Sequence, residues 1–169
     1  MERTLVILKP DTLKRQLMGQ ILERFEKNDL KIIAMKMVHA DLETLKIHYP
    51  DTMIPVVGAK GLGEDVSEED KIKQGTMIIN GLREYMMSGP IIPMIIETED
   101  AVKKVRTILG ATDPAKSDKG TIRGDFGIDS IAKANSEGRS CQNLVHASGN
   151  VEEANQEINI WFSQEEILE

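Results

Sequence analysis

The amino-acid sequence predicts an α/β fold in which four short strands form one sheet and helices pack on it. Three observations carry this. Short aliphatic and β-branched runs begin near Thr4, Leu30, Pro90 and Asn143. Between them lie segments whose apolar residues recur at three- and four-residue spacing, the mark of amphipathic helices. Pro, Gly, Asn and Asp punctuate the boundaries.

Thr4 to Leu8 reads as a buried strand that stops at Pro10, which cannot donate to a ladder. Leu13, Leu17, Ile21, Leu22 and Phe25 then form one helical stripe, broken at Asn28-Asp29. Leu30 to His39 is the second strand, and Asp41 to Tyr49 a short helix ending before Pro50. Pro50 to about Asp70 is irregular and acidic, and is expected to be an exposed loop or inserted lobe. Ile72 to Met87 regains helical phase through Ile79, Leu82 and Met86. Pro90 to Glu97 is the third strand, with Pro93 expected at a sheet edge or bulge. Thr98 to Leu109 is a helix that Gly110 suits as C-terminal cap. Ala111 to Ile128 looks like loop, and Asp129 to Ser140 is polar and without clear period. Asn143 to Ala147 is the fourth strand, and Asn150-x-x-Glu153 opens a last helix with Ala154, Ile158 and Trp161 inward. A parallel doubly wound sheet and a split βαβ sheet with helices on one face both satisfy this order.

A length of 169 residues fits a single domain spanning 1–169. A net charge of −7 argues against a nucleic-acid binder and requires any phosphate-binding cations to be gathered locally. One cysteine, Cys141, excludes an internal disulfide and a cysteine zinc cage. The apolar run Leu5 to Leu8 is too short for a signal sequence, and no stretch approaches the roughly 20 apolar residues of a membrane helix. A cytoplasmic protein, not bound to a membrane, is the expectation.

There are three histidines. His39 and His48 read as structural or exposed. His146 follows an apolar strand and precedes Ala147-Ser148-Gly149, small residues that let a ligand approach the backbone. Glu157, on the following helix, is placed to orient the imidazole, and an imidazole so held is a nucleophile near neutral pH. A strand-end histidine satisfied by a carbonyl remains the competing reading. Lys9, Arg106, Thr112 and Arg123 fall at strand ends, a helix end and Gly-rich loops, which suggests a local phosphate site. Three other patterns are set aside. Gly58-Ala59-Lys60-Gly61-Leu62-Gly63 lacks the ending of a phosphate loop, and Asp125-Phe126-Gly127 has no accompanying His-Arg-Asp. The acidic residues from Glu64 to Asp70 read as a solvated face.

Several segments together resemble the nucleoside diphosphate kinases. They are Glu2 to Asp11, Ser88-Gly89-Pro90, Gly110-Ala111-Thr112-Asp113-Pro114, Gly120 to Phe126, and Asn143-Leu144-Val145-His146-Ala147-Ser148, followed by Glu157 and Trp161-Phe162. The resemblance runs over nearly the whole chain in order. It implies a ferredoxin-like split βαβ fold, a four-stranded antiparallel sheet with helices packed on it. It also implies a ping-pong transfer of the terminal phosphate from a nucleoside triphosphate, such as ATP or GTP, to a nucleoside diphosphate through phosphorylated His146.

Carried over by resemblance, Lys9 contacts the transferred phosphate and Tyr49 shapes the site. Arg106 and Thr112 hold the inner phosphate, and Arg123 meets the outer ones. Asn143 contacts the sugar, while Glu157 and Ser148 orient His146. Mg²⁺ arrives on the nucleotide and not in a protein cage, and the chain forms a homo-oligomer, hexamer or tetramer. The sequence departs from the family at Ala147, where Gly is usual, and at Gly149, where Asp is usual. It also lengthens two stretches, near 51–75 and 128–139, expected as loop insertions; the first lacks the Phe on which the family stacks the base. A silent nucleotide-binding module of the same fold is the alternative to an active enzyme.

Overall fold

A computed structural model of the chain describes residues 1–62 and 66–168. The strands are β1 (Glu2–Leu8), β2 (Lys31–Met35), β3 (Ile92–Thr98) and β4 (Val145–Ala147). The sheet order is β2-β3-β1-β4, and every neighbouring pair is antiparallel. β1 and β2 thus run parallel with β3 inserted between them, which is the split βαβ arrangement of a ferredoxin-like fold.

The helices are α1 (Pro10–Lys14), α2 (Met18–Glu26), α3 (Leu42–His48), α4 (Ile54–Leu62), α5 (Glu68–Met87), α6 (Ala101–Leu109), α7 (Ile122–Phe126), α8 (Ile131–Ser136) and α9 (Val151–Trp161). Among the described residues none is long and apolar enough to cross a membrane.

Side chains alternate across a strand, so a sheet covered on one face shows alternating burial. Here Leu5 to Leu8 are all fully buried, because both faces are covered. Val6, Leu8, Met94 and Ile96 meet Ile21 and Phe25 of α2 and Val105 and Leu109 of α6. Leu5, Ile7, Ile33 and Ile95 meet Leu45 of α3, Ile79 and Met86 of α5, and Ile158 and Trp161 of α9. Helices therefore lie on both faces, not on one.

Several local expectations change. The single stripe from Leu13 to Phe25 is two helices, because Gln16 takes a left-handed φ of 56° and turns the chain between them. The second strand stops at Met35, leaving only a bridge between Val38 and Ile91. Thr98 ends β3 and does not open α6.

Pro93 sits on a central strand opposite Ile7, and the ladder irregularity falls in β2, between Ile32 and Ala34. It is tolerated because its carbonyl, and so the side where its missing N–H would lie, faces Lys36, just past the end of β2.

The stretch expected as an irregular loop after Pro50 is largely helical. A turn at Asp51–Met53 leads into α4, which packs against α5 as a hairpin. Their backbones touch through glycines: a Cβ on Gly58 would lie 1.8 Å from the Lys71 carbonyl oxygen, and one on Gly75 1.9 Å from that of Ile54. Lys60 therefore lies on a helix, while Gly63, Glu64 and Asp65 lie outside the described residues. Glu68, Glu69 and Asp70 form the first turn of α5 behind the Ser67 cap, where carboxylates favour the helix dipole. The polar stretch near 128–139 contains α8, and Arg123 lies on α7, capped by Thr121, not on a loop.

Candidate active site

His146 sits on edge strand β4 opposite Ile7, so it projects to the sheet face covered by α3, α5 and α9. Its neighbours alternate away: Val145 and Ala147 pack on the other cluster. Ala147, a departure from the resemblance, packs on that cluster and also lines the cleft beside the imidazole.

α9 begins where Asn150 accepts the Glu153 N–H at 2.8 Å, while Glu153 reaches back to the Asn150 amide and the Gly149 N–H. That cap sets the helix phase and carries Glu157 to His146. Nε2 of His146 lies 3.1 Å from both carboxylate oxygens of Glu157. Ser148, fully buried, donates its hydroxyl to Glu157 Oε2 at 2.5 Å. Burial alone would raise the Glu157 pKa, but the His146 charge and hydrogen bond, aided by His48 and Ser148, leave it lowered. A carboxylate there accepts the Nε2–H, so the free lone pair of the ring is on Nδ1.

A cleft of about 260 Å³ opens beside the imidazole, lined by Lys9, Tyr49, Leu82, Arg106, Thr112, Arg123, Asn143 and His146 among others. Every residue expected to touch a nucleotide, other than Ser148 behind the ring, lines it. Lys9, at the end of β1, is buried and donates Nζ to Asn143 Oδ1 at 2.8 Å. Burial, with Arg123 nearby, lowers its pKa to about 8. Arg106 and Thr112 are exposed on the rim.

Arg123 is differently used than a pure phosphate contact. It makes four hydrogen bonds to carbonyls: Nε to Asn143 at 3.0 Å, Nη1 to Gly110 at 3.0 Å and Ala111 at 3.3 Å, and Nη2 to Val145 at 2.6 Å. It builds the cleft wall from three segments and lends the cleft its charge. Burial and Arg106 lower its pKa to about 10. Asn143 is likewise engaged, its Nδ2 donating to the Thr112 carbonyl at 2.9 Å.

Tyr49 is the C-cap of α3, and buried Arg83 donates to its carbonyl through Nε at 3.2 Å and Nη2 at 2.5 Å. Burial and Glu157 push the Tyr49 hydroxyl well above its ordinary pKa.

His39 is exposed, but His48 is part of this site, which sequence spacing did not show. Its ring stands edge-on to His146 at 4.6 Å between centroids, and Trp161 Nε1–H donates to its Nδ1 at 3.4 Å. Burial first, then the His146 charge, lowers its pKa to about 3, so it is neutral. His48, His146 and Glu157 hold candidate metal-ligand atoms within 4.8 Å of one another. The donors already aimed at them, from Trp161, Ser148 and the imidazole itself, do not fit a cation.

A lone pair on a fixed imidazole, facing cations in an otherwise acidic chain, equips the cleft to exchange a phosphoryl group. The comparisons with known proteins agree. The nucleoside diphosphate kinase family model matches residues 2–54 and 64–167. A nucleoside diphosphate kinase of Pyrobaculum aerophilum is 44% identical over 99% of this chain and 98% of its own length. One from Saccharomyces cerevisiae is 41% identical over 99% of this chain and 90% of its own. Among solved structures, an NDP kinase from Pyrobaculum aerophilum superposes with a TM-score of 0.90 at 42% identity, covering 99% of both chains. A Borrelia burgdorferi nucleoside-diphosphate kinase, a transition-state mimic with bound vanadate and ADP, gives 0.85 at 34% identity over 99% of this chain and 90% of that one. The chain belongs to the nucleoside diphosphate kinase family, and it is a phosphotransferase.

Proposed function

We propose that this nucleoside diphosphate kinase moves the terminal phosphate in two half-reactions through Nδ1 of His146. The observation that carries the reading is the paired 3.1 Å contact of Nε2 with Glu157, which leaves Nδ1 as the nucleophile beside the cationic cleft.

In the first half-reaction the Nδ1 lone pair attacks the terminal phosphorus of a nucleoside triphosphate. The bond from that phosphorus to the bridging oxygen breaks, and its electrons leave on the diphosphate. Positive charge that develops on the ring is stabilised by Glu157 across Nε2–H. In the second half-reaction a terminal oxygen of another diphosphate attacks the phosphohistidine and the N–P bond breaks.

Lys9 and Arg106 neutralise phosphate charge, Thr112 adds a hydroxyl at the rim, and Arg123 supplies charge from the wall. Asn143 faces the sugar, and Tyr49 closes the cleft beside the ring. Contacts to phosphate and sugar leave the base unread, so ATP and GTP both serve as donors.

Among the described residues lining the cleft no carboxylate is present to cage a hard cation. Mg²⁺ fits as a companion of the nucleotide, where it offsets phosphate charge. The chain acts in the cytoplasm as one domain and assembles as a homo-oligomer, hexamer or tetramer. Edge strand β2, with exposed Met35 and Met37 beside it, supplies apolar surface for such assembly.

The test is incubation with Mg²⁺ and ATP labelled on its terminal phosphate, in wild type and His146→Ala. Label that survives alkali, is lost in acid, is absent from the variant and passes to GDP is the expected result. Stable label elsewhere, or transfer by His146→Ala, would overturn the reading. Light scattering of the purified protein reads the assembly.

A further inference from the structure

Asn143 and His146 both line the cleft, yet residues three apart on a regular strand face opposite sides. Leu144 resolves this. It is fully buried and takes a left-handed φ of 71°, a conformation that an L-residue with a bulky side chain rarely adopts. Among the described residues the other non-glycines with positive φ, Gln16, Asp29 and Asp100, are polar.

Leu144 is held there from both main-chain groups. Its carbonyl accepts the Lys9 N–H at 2.8 Å and the Thr12 hydroxyl at 2.7 Å. Its N–H donates to Asp11 Oδ2 at 3.1 Å. Asp11 is itself buried, and its other oxygen accepts the Tyr85 hydroxyl at 2.5 Å. Tyr85 comes from α5, and its ring lies 5.5 Å from Lys9 Nζ. A line of hydrogen bonds therefore runs from α5 through Asp11 to the residue between Asn143 and Val145.

We infer that Asp11 and Tyr85 are positioning residues for phosphoryl transfer, holding the left-handed turn at Leu144 that brings Asn143, Lys9 and His146 to one cleft. The inference rests on the reading that His146 carries the phosphate. Neither residue touches the reacting atoms. Loss of their hold displaces groups that must align with Nδ1, and small misplacements of such groups cost on the order of 10²-fold in rate.

The experiment compares wild type, Tyr85→Phe, Asp11→Ala and Asp11→Asn by kcat, KM, the rate of label uptake on His146, and the thermal midpoint. Tyr85→Phe removes one hydroxyl and keeps the ring, so it should fold. It should lose about tenfold in kcat with KM within about threefold. Asp11→Ala should lose about 10²-fold. Asp11→Asn, whose amide oxygen can still accept the Leu144 N–H while its NH₂ faces the Tyr85 oxygen, should recover most of that loss. A lower thermal midpoint with wild-type kcat in the folded protein, or Asp11→Asn no better than Asp11→Ala, would overturn the inference. Wild-type label absent from His146 would instead overturn the reading on which it rests.

Discussion

Lys9 makes the most demanding prediction, because its charge is held in place at a cost. Burial and Arg123 lower its pKa from 10.5 to about 8, a difference of about 2.5 units. At 1.36 kcal/mol per unit that is about 3 kcal/mol against the charged form. Below pH 8 the lysine is protonated and, in the proposed mechanism, meets the transferred phosphate as a cation. Above pH 8 the free enzyme loses that charge, while the Arg123 guanidinium keeps its own.

The profile of kcat/KM reports the free enzyme and should fall about tenfold per pH unit above an apparent pKa near 8. A bound nucleotide places negative charge beside Nζ and favours the ammonium, so the same limb in kcat should lie at higher pH. Stability runs the other way. Between pH 8 and 10.5 the unfolded chain binds more protons at this residue than the folded one, so its contribution to stability rises with pH. Measured against Lys9→Met, wild type should gain up to about 3 kcal/mol across that window. Steady-state rates from pH 6.5 to 10 and denaturant unfolding at the same values check both. Coincident limbs in kcat and kcat/KM, or kcat/KM flat to pH 9.5, would refute the reasoning.

Other substitutions test other parts. Glu157→Gln keeps the shape beside His146 but removes the charge, and should slow label uptake by about 10²–10³-fold with nucleotide binding retained in a filter assay. Ala147→Gly should leave the rate within about threefold, because Ala147 brings no polar group to the cleft it lines and losing its methyl from the cluster costs only about 0.8 kcal/mol of burial. Gly75→Ala forces a Cβ against the Ile54 carbonyl and should destabilise by about 1–3 kcal/mol, read by thermal unfolding. Gly19→Ala meets nothing within 4 Å on α2 and should stabilise by about 0.5 kcal/mol in the same assay.

Element type was legible in the sequence wherever one local rule dominated. The Asn150 cap, the Gly110 terminus and the Asp41 start of α3 all stand where their side chains or φ angles require. The candidate cleft was legible mainly through the ordered motifs that carry the family resemblance, such as Asn143 to Ser148, since each cation taken alone reads as a surface charge. The region after Pro50 was not, because glycines there read as loop signals. Gly58 and Gly75 instead allow two helices to touch, and that need exists only once α4 and α5 are paired.

What the sequence by itself determined is therefore the order of the four strands and the main helices between them and, through the resemblance, the family and the polar groups that meet in the cleft. The first follows from residues acting on near neighbours, the other two from motifs kept in order along the chain. Tertiary structure alone decided that the sheet is covered on both faces, that Nδ1 and not Nε2 of His146 is free, and that Arg123 is bonded to the carbonyls of the cleft wall. It also decided that His48 is buried neutral beside His146, and that Asp11, 133 residues before Leu144, holds its turn. Those are contacts between segments distant in sequence. Hydrogen bonding and burial act through space, so no spacing along the chain records them.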